Sequence, residues 1–216
     1  MDNIKLFQLI EFSSYTIALP LLFAFFRIRR SNHVQFHLCL LIFVGAIVEL
    51  SSYYIIEVLK ASNLVVLHIY TVIEFGLIVF IFKNELLRYL SVRNIYLLIF
   101  GFAIFALFNN LILERQLRID ALVRAVEAIL VITMVLVFFY TTLKTLKLKR
   151  LEGAPIFWVS SGLLFYFSTS LFIFIYSNYL IESREASYFI WGLHAIMNTV
   201  QNICYTIALW VKPEIE

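Results

Sequence analysis

Seven apolar segments, each long enough to cross a membrane as a helix, make up most of this chain of 216 residues. A helix needs about 20 apolar residues to span the hydrocarbon core of a bilayer. The segments cover residues 4–26, 34–58, 64–82, 95–113, 121–143, 156–181 and 187–211. Because a spanning segment must satisfy its own backbone hydrogen bonds in lipid, the sequence predicts an all-α, polytopic membrane protein. We expect residues 1–216 to form a single domain, one seven-helix transmembrane bundle.

The composition agrees with this class of protein. Hydrophobic residues make up 62% of the chain and charged residues 14%, whereas soluble domains carry about 25% charged residues. The connections between the segments are too short to hold a soluble domain. Neither a phosphate-binding loop nor a nucleic-acid-binding module is recognisable, and Cys39 and Cys204 have no metal or redox spacing. We therefore expect the lipid bilayer as the main partner and no nucleic acid.

The basic residues predict the orientation of the bundle. One set of connections carries 11 Lys and Arg residues and the opposite set carries 5. Since Lys and Arg are concentrated on the cytoplasmic side of membrane proteins, the N-terminus is predicted outside and the C-terminus in the cytoplasm. The basic inner loops are then contacts for anionic lipids and a docking surface for a cytoplasmic partner. The abundance of Phe, Ile, Leu, Asn and Lys favours a multi-pass protein of the bacterial cytoplasmic (plasma) membrane.

The last segment carries a polar face. At 100° per residue, its polar and aromatic residues fall in a stripe about 100° wide on an otherwise apolar helix. The stripe consists of Trp191, His194, Asn198, Gln201, Asn202 and Tyr205. Polar groups are costly in hydrocarbon and turn toward partners or water. This face is therefore predicted to look into the bundle.

Three other segments carry ionisable groups at a similar depth. The second contains Glu49 and Tyr53, the third His68, Thr71 and Glu74, and the fifth Arg124 and Glu127. In the fifth segment the two charged residues are three apart and hence neighbours on a helix. Together with the stripe of the last helix, they predict one shared polar cavity that faces the exterior. The alternative is that these groups only join helix to helix and stabilise the bundle.

Comparison with known seven-helix architectures raises two cofactors, retinal and zinc. Seven helices with an external N-terminus resemble the retinal proteins, but the seventh segment holds no lysine for a Schiff base, so covalent retinal is not predicted. With seven helices the chain also resembles the membrane ceramidases. In that family the zinc is held by histidines, two of them four residues apart. Here Asn198 stands four residues after His194. His68, His194 and either Glu49 or Glu74 would still supply three zinc ligands. We otherwise predict no cofactor.

These features favour a binding protein over an enzyme. We expect a small molecule to bind in the cavity, and the signal to pass to a separate protein, because these 216 residues leave no room for an output domain. Two alternatives remain open. One is a membrane-embedded hydrolase of lipid-like substrates, with or without zinc. The other is a proton-coupled carrier in which Glu49 or Glu74 takes up the proton.

Overall fold

The computed structural model describes residues 8–9, 12–112, 121–145, 150–175 and 184–212. Helices dominate these ranges, and none of the described residues forms a β-strand. The long helices are α1 (Ala18–Arg27), α2 (His33–Glu57), α3 (Leu64–Ile81), α4 (Val92–Ile112), α5 (Ala121–Thr145), α6 (Pro155–Ile175) and α7 (Arg184–Trp210). Single helical turns at Ile28–Arg30, Lys83–Leu86 and Leu151–Gly153 lie in the connections.

Five of these helices are long and apolar enough to cross a membrane, in the part of the chain that the structure describes. They are α2, α3, α4, α5 and α6. Large apolar side chains cover their outer surfaces; Phe100 and Ile104 of α4, for example, are 63% and 66% exposed. Soluble monomers rarely expose contiguous apolar surface of this kind. The long apolar helices therefore indicate a membrane-embedded protein.

The predicted spans agree with the helix bounds to within a few residues where the structure describes them. Helices α2 to α5 match the spans 34–58, 64–82, 95–113 and 121–143, and α7 matches 187–211. Parts of the predicted spans, at 4–7, 10–11, 113 and 176–181, lie outside the described residues. Helix α7 is absent from the set of five candidate spans, and it carries the polar stripe that lowers its hydropathy.

The first predicted span differs from the structure. Residues 12–15 are helical, but the helical pattern is interrupted at Thr16 and Ile17 before α1 begins. Proline at position 20 has no N–H for the carbonyl of Thr16, and its ring crowds that carbonyl. The Thr16 hydroxyl instead donates to the Ser13 carbonyl over 2.6 Å. The prediction of one continuous helix over 4–26 is therefore wrong at this point.

The helices form a closed ring. Each packs against the next in the chain, α7 also packs against α1, and α3 contacts α5 across the ring. Buried Gln35 of α2 joins the ring at the C-terminal end of α7: its Nε2 donates to the carbonyls of Ala208 and Val211, each over 2.9 Å. These bonds satisfy carbonyl groups that a helix end leaves without an intrahelical partner. These bonds thereby hold the start of α2 against the end of α7.

Candidate ligand-binding site

A buried charge cluster links α3 to α5. Nη1 of Arg124 donates to Oε2 of Glu74 over 3.0 Å and to Oε2 of Glu127 over 3.1 Å. The Glu74 side chain is 7% exposed and that of Glu127 is 0% exposed. The hydroxyl of Tyr70 donates to Oε1 of Glu74 over 3.2 Å. Burying a charge is costly unless it is paired and hydrogen-bonded. The bonds from Arg124 therefore offset the free-energy cost of burying both carboxylates.

The cluster borders a cavity of about 310 Å³, which we call cavity A. Its wall takes residues from α2, α3, α5, α6 and α7 and from the segment that precedes α1. The charged and aromatic part of this wall consists of Glu49, Tyr70, Glu74, Arg124, Tyr166, Trp191, His194 and Tyr205. The volume is at the lower end of the range for small-molecule sites, about 300–1,000 Å³. Cavity A could therefore hold a small ligand among charged and aromatic groups.

A second cavity of about 330 Å³, cavity B, lies beside the first. Most of its wall is apolar, with Leu64, Phe167, Ile173 and Phe174 among the lining residues. Its polar groups include His68, Glu127 and Ser170. Cavity B is thus the more hydrophobic of the two spaces.

The two cavities share one wall. Leu67, Arg124, Tyr166, Trp191 and His194 line both of them. The ring of His194 lies 5.0 Å from that of Tyr166 and 5.8 Å from that of Trp191, measured between centroids. The residues predicted to line a single hollow are thus distributed over two neighbouring spaces, and the wall shared by these spaces contains the basic member of the charge cluster.

Most of the predicted site residues line one cavity or the other. Cavity A receives Glu49, Glu74, Asn198 and Gln201; cavity B receives His68 and Glu127; Arg124, Trp191 and His194 line both.

Tyr53 and Thr71 line neither cavity. Tyr53 lies one turn beyond Glu49, where its side chain is 66% exposed at the outer surface of α2. Thr71 is buried, and its hydroxyl donates to the Leu67 carbonyl over 2.9 Å. A threonine in a helix can satisfy its hydroxyl within its own turn in this way, so its polarity alone does not locate it in a cavity.

Tyr166 was not among the predicted site residues, although it lines both cavities. Aromatic residues in membrane helices are common at the ends, where they form interfacial belts. Tyr166 instead lies in the middle of α6. A tyrosine at the centre of a span is the sequence signal that could have identified it.

Part of the polar stripe on α7 serves the bundle itself. Nδ2 of Asn202 donates to Oγ1 of Thr16 over 2.8 Å, and Nδ2 of Asn198 donates to the Ser13 carbonyl over 3.4 Å. Nε2 of Gln201 donates to the hydroxyl of Tyr205 over 2.8 Å. The two asparagines therefore attach α7 to the segment before α1 and supply polar surface to cavity A.

The zinc alternative finds no ligand set in the described ranges. Among these residues no group of three or more His, Cys, Asp and Glu side chains is placed to hold a metal ion. His68 lies on cavity B and Glu74 on cavity A, with His194 between them, and the Glu74 carboxylate is already bonded to Arg124. This geometry does not bring the three candidates to one point.

Comparison with known proteins does not place the chain in a family. No protein-family model, curated protein or solved structure matches it.

Proposed function

We propose that this protein is a multi-pass receptor of the cytoplasmic membrane, with seven spans and an external N-terminus. It binds a small molecule between its helices and passes the event to a cytoplasmic partner at its basic inner loops. The observation that carries the proposal is the pair of cavities on either side of Arg124. Such a site joins a concave, largely apolar space to a few convergent polar groups, which is the usual make-up of a ligand pocket.

The position of Arg124 supports a signalling role. Its bond to Glu74 joins α5 to α3 directly beside the space that a ligand would fill. A ligand that binds one arrangement of this ion pair better than another shifts the equilibrium between them. From Arg124 to Thr145, α5 extends over about 30 Å at the rise of an α-helix. It leads from the cavities to the connection that carries Lys147, Lys149 and Arg150.

The orientation can be tested with two matched cysteines. Ser62 and Ser91 are both exposed, and each hydroxyl accepts a backbone N–H at the start of the following helix. We expect Ser62→Cys to react with a membrane-impermeant maleimide on intact cells and Ser91→Cys to react only after permeabilisation. The native Cys39 and Cys204 are buried, so the unchanged protein gives the background. Labelling of Ser91→Cys alone on intact cells would reverse the predicted orientation.

Binding within the bundle can be tested by filling cavity A. Gly45 lines this cavity, and a Cβ added there would lie 3.5 Å from Ile17 Cδ1 and from Tyr70 Oη, in ordinary van der Waals contact. Gly45→Leu should therefore fold and occupy the space. Small molecules can be screened by thermal shift in nanodiscs for compounds that stabilise the native protein. We expect these compounds to bind Gly45→Leu with at least tenfold lower affinity.

The matched control for this experiment is Gly101→Leu. A Cβ at Gly101 would meet nothing within 4 Å, so this variant should bind like the native protein. Equal affinity in Gly45→Leu would contradict binding in cavity A. Net uptake of the bound compound into proteoliposomes would contradict the proposed receptor function and favour a carrier. Its chemical turnover would favour the hydrolase.

A further inference from the structure

We infer that cavity A takes a small organic cation of the ammonium class, held by Glu49 and Glu74 against aromatic rings. The inference rests on the proposed function and adds the chemical class of the ligand.

The first argument is the balance of charge. Arg124 is the only Lys or Arg among the described residues that line cavity A. Its Nη1 already serves two carboxylates, Glu74 and Glu127. Glu49 adds a further carboxylate to the wall. In formal charges the described residues that line cavity A thus comprise one cation and two anions, Glu49 and Glu74, and a cationic ligand would offset this excess.

The second argument is the state of Glu49. No hydrogen bond or ion pair joins Glu49 to another residue that the structure describes, in contrast to Glu74 with its bonds to Arg124 and Tyr70. The carboxylate lies on α2 about two turns before the end of the helix at Glu57. Glu49 is exposed and lines cavity A, so its carboxylate is open to a ligand, and an ammonium group in the cavity would give it a partner.

The third argument is the aromatic wall. Tyr70, Tyr166, Trp191 and Tyr205 line cavity A. Cations bind over aromatic faces at about 6 Å from the ring centroid, and ammonium ligands are recognised in this way. The cluster already contains one such contact, because Cζ of Arg124 lies 5.9 Å from the centroid of Tyr70. The walls thus offer rings and carboxylates together.

The test compares three probes of nearly the same shape. Choline carries a quaternary ammonium, 3,3-dimethylbutan-1-ol has carbon in place of that nitrogen, and 3,3-dimethylbutanoate is an anion. Trp158→Phe and Trp210→Phe leave Trp191, in the cavity wall, as the only tryptophan. We expect choline to change Trp191 fluorescence saturably in nanodiscs, with at least tenfold higher affinity than the neutral alcohol or the anion.

Two glutamates on the same helix supply the variant and its control. Glu49→Gln should weaken choline binding at least tenfold. Glu57→Gln should leave it unchanged, because Glu57 pairs with Lys60 over 3.2 Å and does not line the cavity.

Three results would overturn the inference. They are equal affinity for choline and its neutral analogue, tighter binding of the anion through Arg124, or no saturable signal with any probe. None of them overturns the proposed function, which the loss of ligand binding in Gly45→Leu tests independently.

Discussion

Replacing Arg124 with alanine is expected to destabilise the protein strongly. The substitution leaves the carboxylates of Glu74 and Glu127 buried without the cation that pairs with both. Removing one partner of a buried ion pair costs about 3–5 kcal/mol because the remaining charge is uncompensated. We expect this loss in the free energy of unfolding, measured by far-UV circular dichroism in mixed detergent micelles.

Arg88→Ala is the control for this prediction. Arg88 pairs with Glu85 over 3.1 Å, at a similar distance and the same three-residue spacing as Arg124 and Glu127, but the Arg88 side chain is 40% exposed. Exposed pairs contribute about 0–1 kcal/mol. Adding Glu74→Gln and Glu127→Gln to Arg124→Ala removes the uncompensated charges and should recover part of the stability. Equal effects of Arg88→Ala and Arg124→Ala would show that the cluster is not a buried network.

The second large effect is expected at Gly162, where α6 and α7 approach each other closely. A Cβ at this position would lie 3.0 Å from Cys204 Cβ and 3.4 Å from both Cα and the carbonyl oxygen of Gln201. The backbone of α7 leaves no room for a larger side chain. Overpacking a well-packed core costs about 1–3 kcal/mol, and Gly162→Leu should lose that much in the same unfolding experiment.

This change should also disturb cavity A, because Gln201 lines it and donates to Tyr205. Ligand affinity in the nanodisc assay should fall together with stability. Gly101→Leu again provides the comparison, since it meets no neighbour and replaces glycine by a better helix former, a gain of up to about 1 kcal/mol. A Gly162→Leu protein as stable as Gly101→Leu would contradict the close packing of α6 on α7.

The membrane class, the helix bounds and the polar face of α7 could be predicted from the sequence. Each depends on properties of one segment: its hydropathy, its length and the angular spacing of its side chains. The interruption at Thr16 and Ile17 shows the limit of such local patterns, because hydropathy does not register that Pro20 lacks the N–H that would bond the Thr16 carbonyl. The same kind of pattern correctly identified Glu74, Arg124 and His194 as inward-facing groups.

Tertiary structure alone decided how these groups combine. Three features depend on how neighbouring helices are rotated and aligned. They are the pairing of Arg124 with both Glu74 and Glu127, the division of the polar space into cavities A and B, and the position of Tyr166 in the wall between them. That alignment is set by contacts between segments far apart in the chain, such as Gly162 against Cys204 and Gln35 against Ala208. The periodicity of a single helix shows which face turns inward, but it contains no information on which neighbour that face will meet.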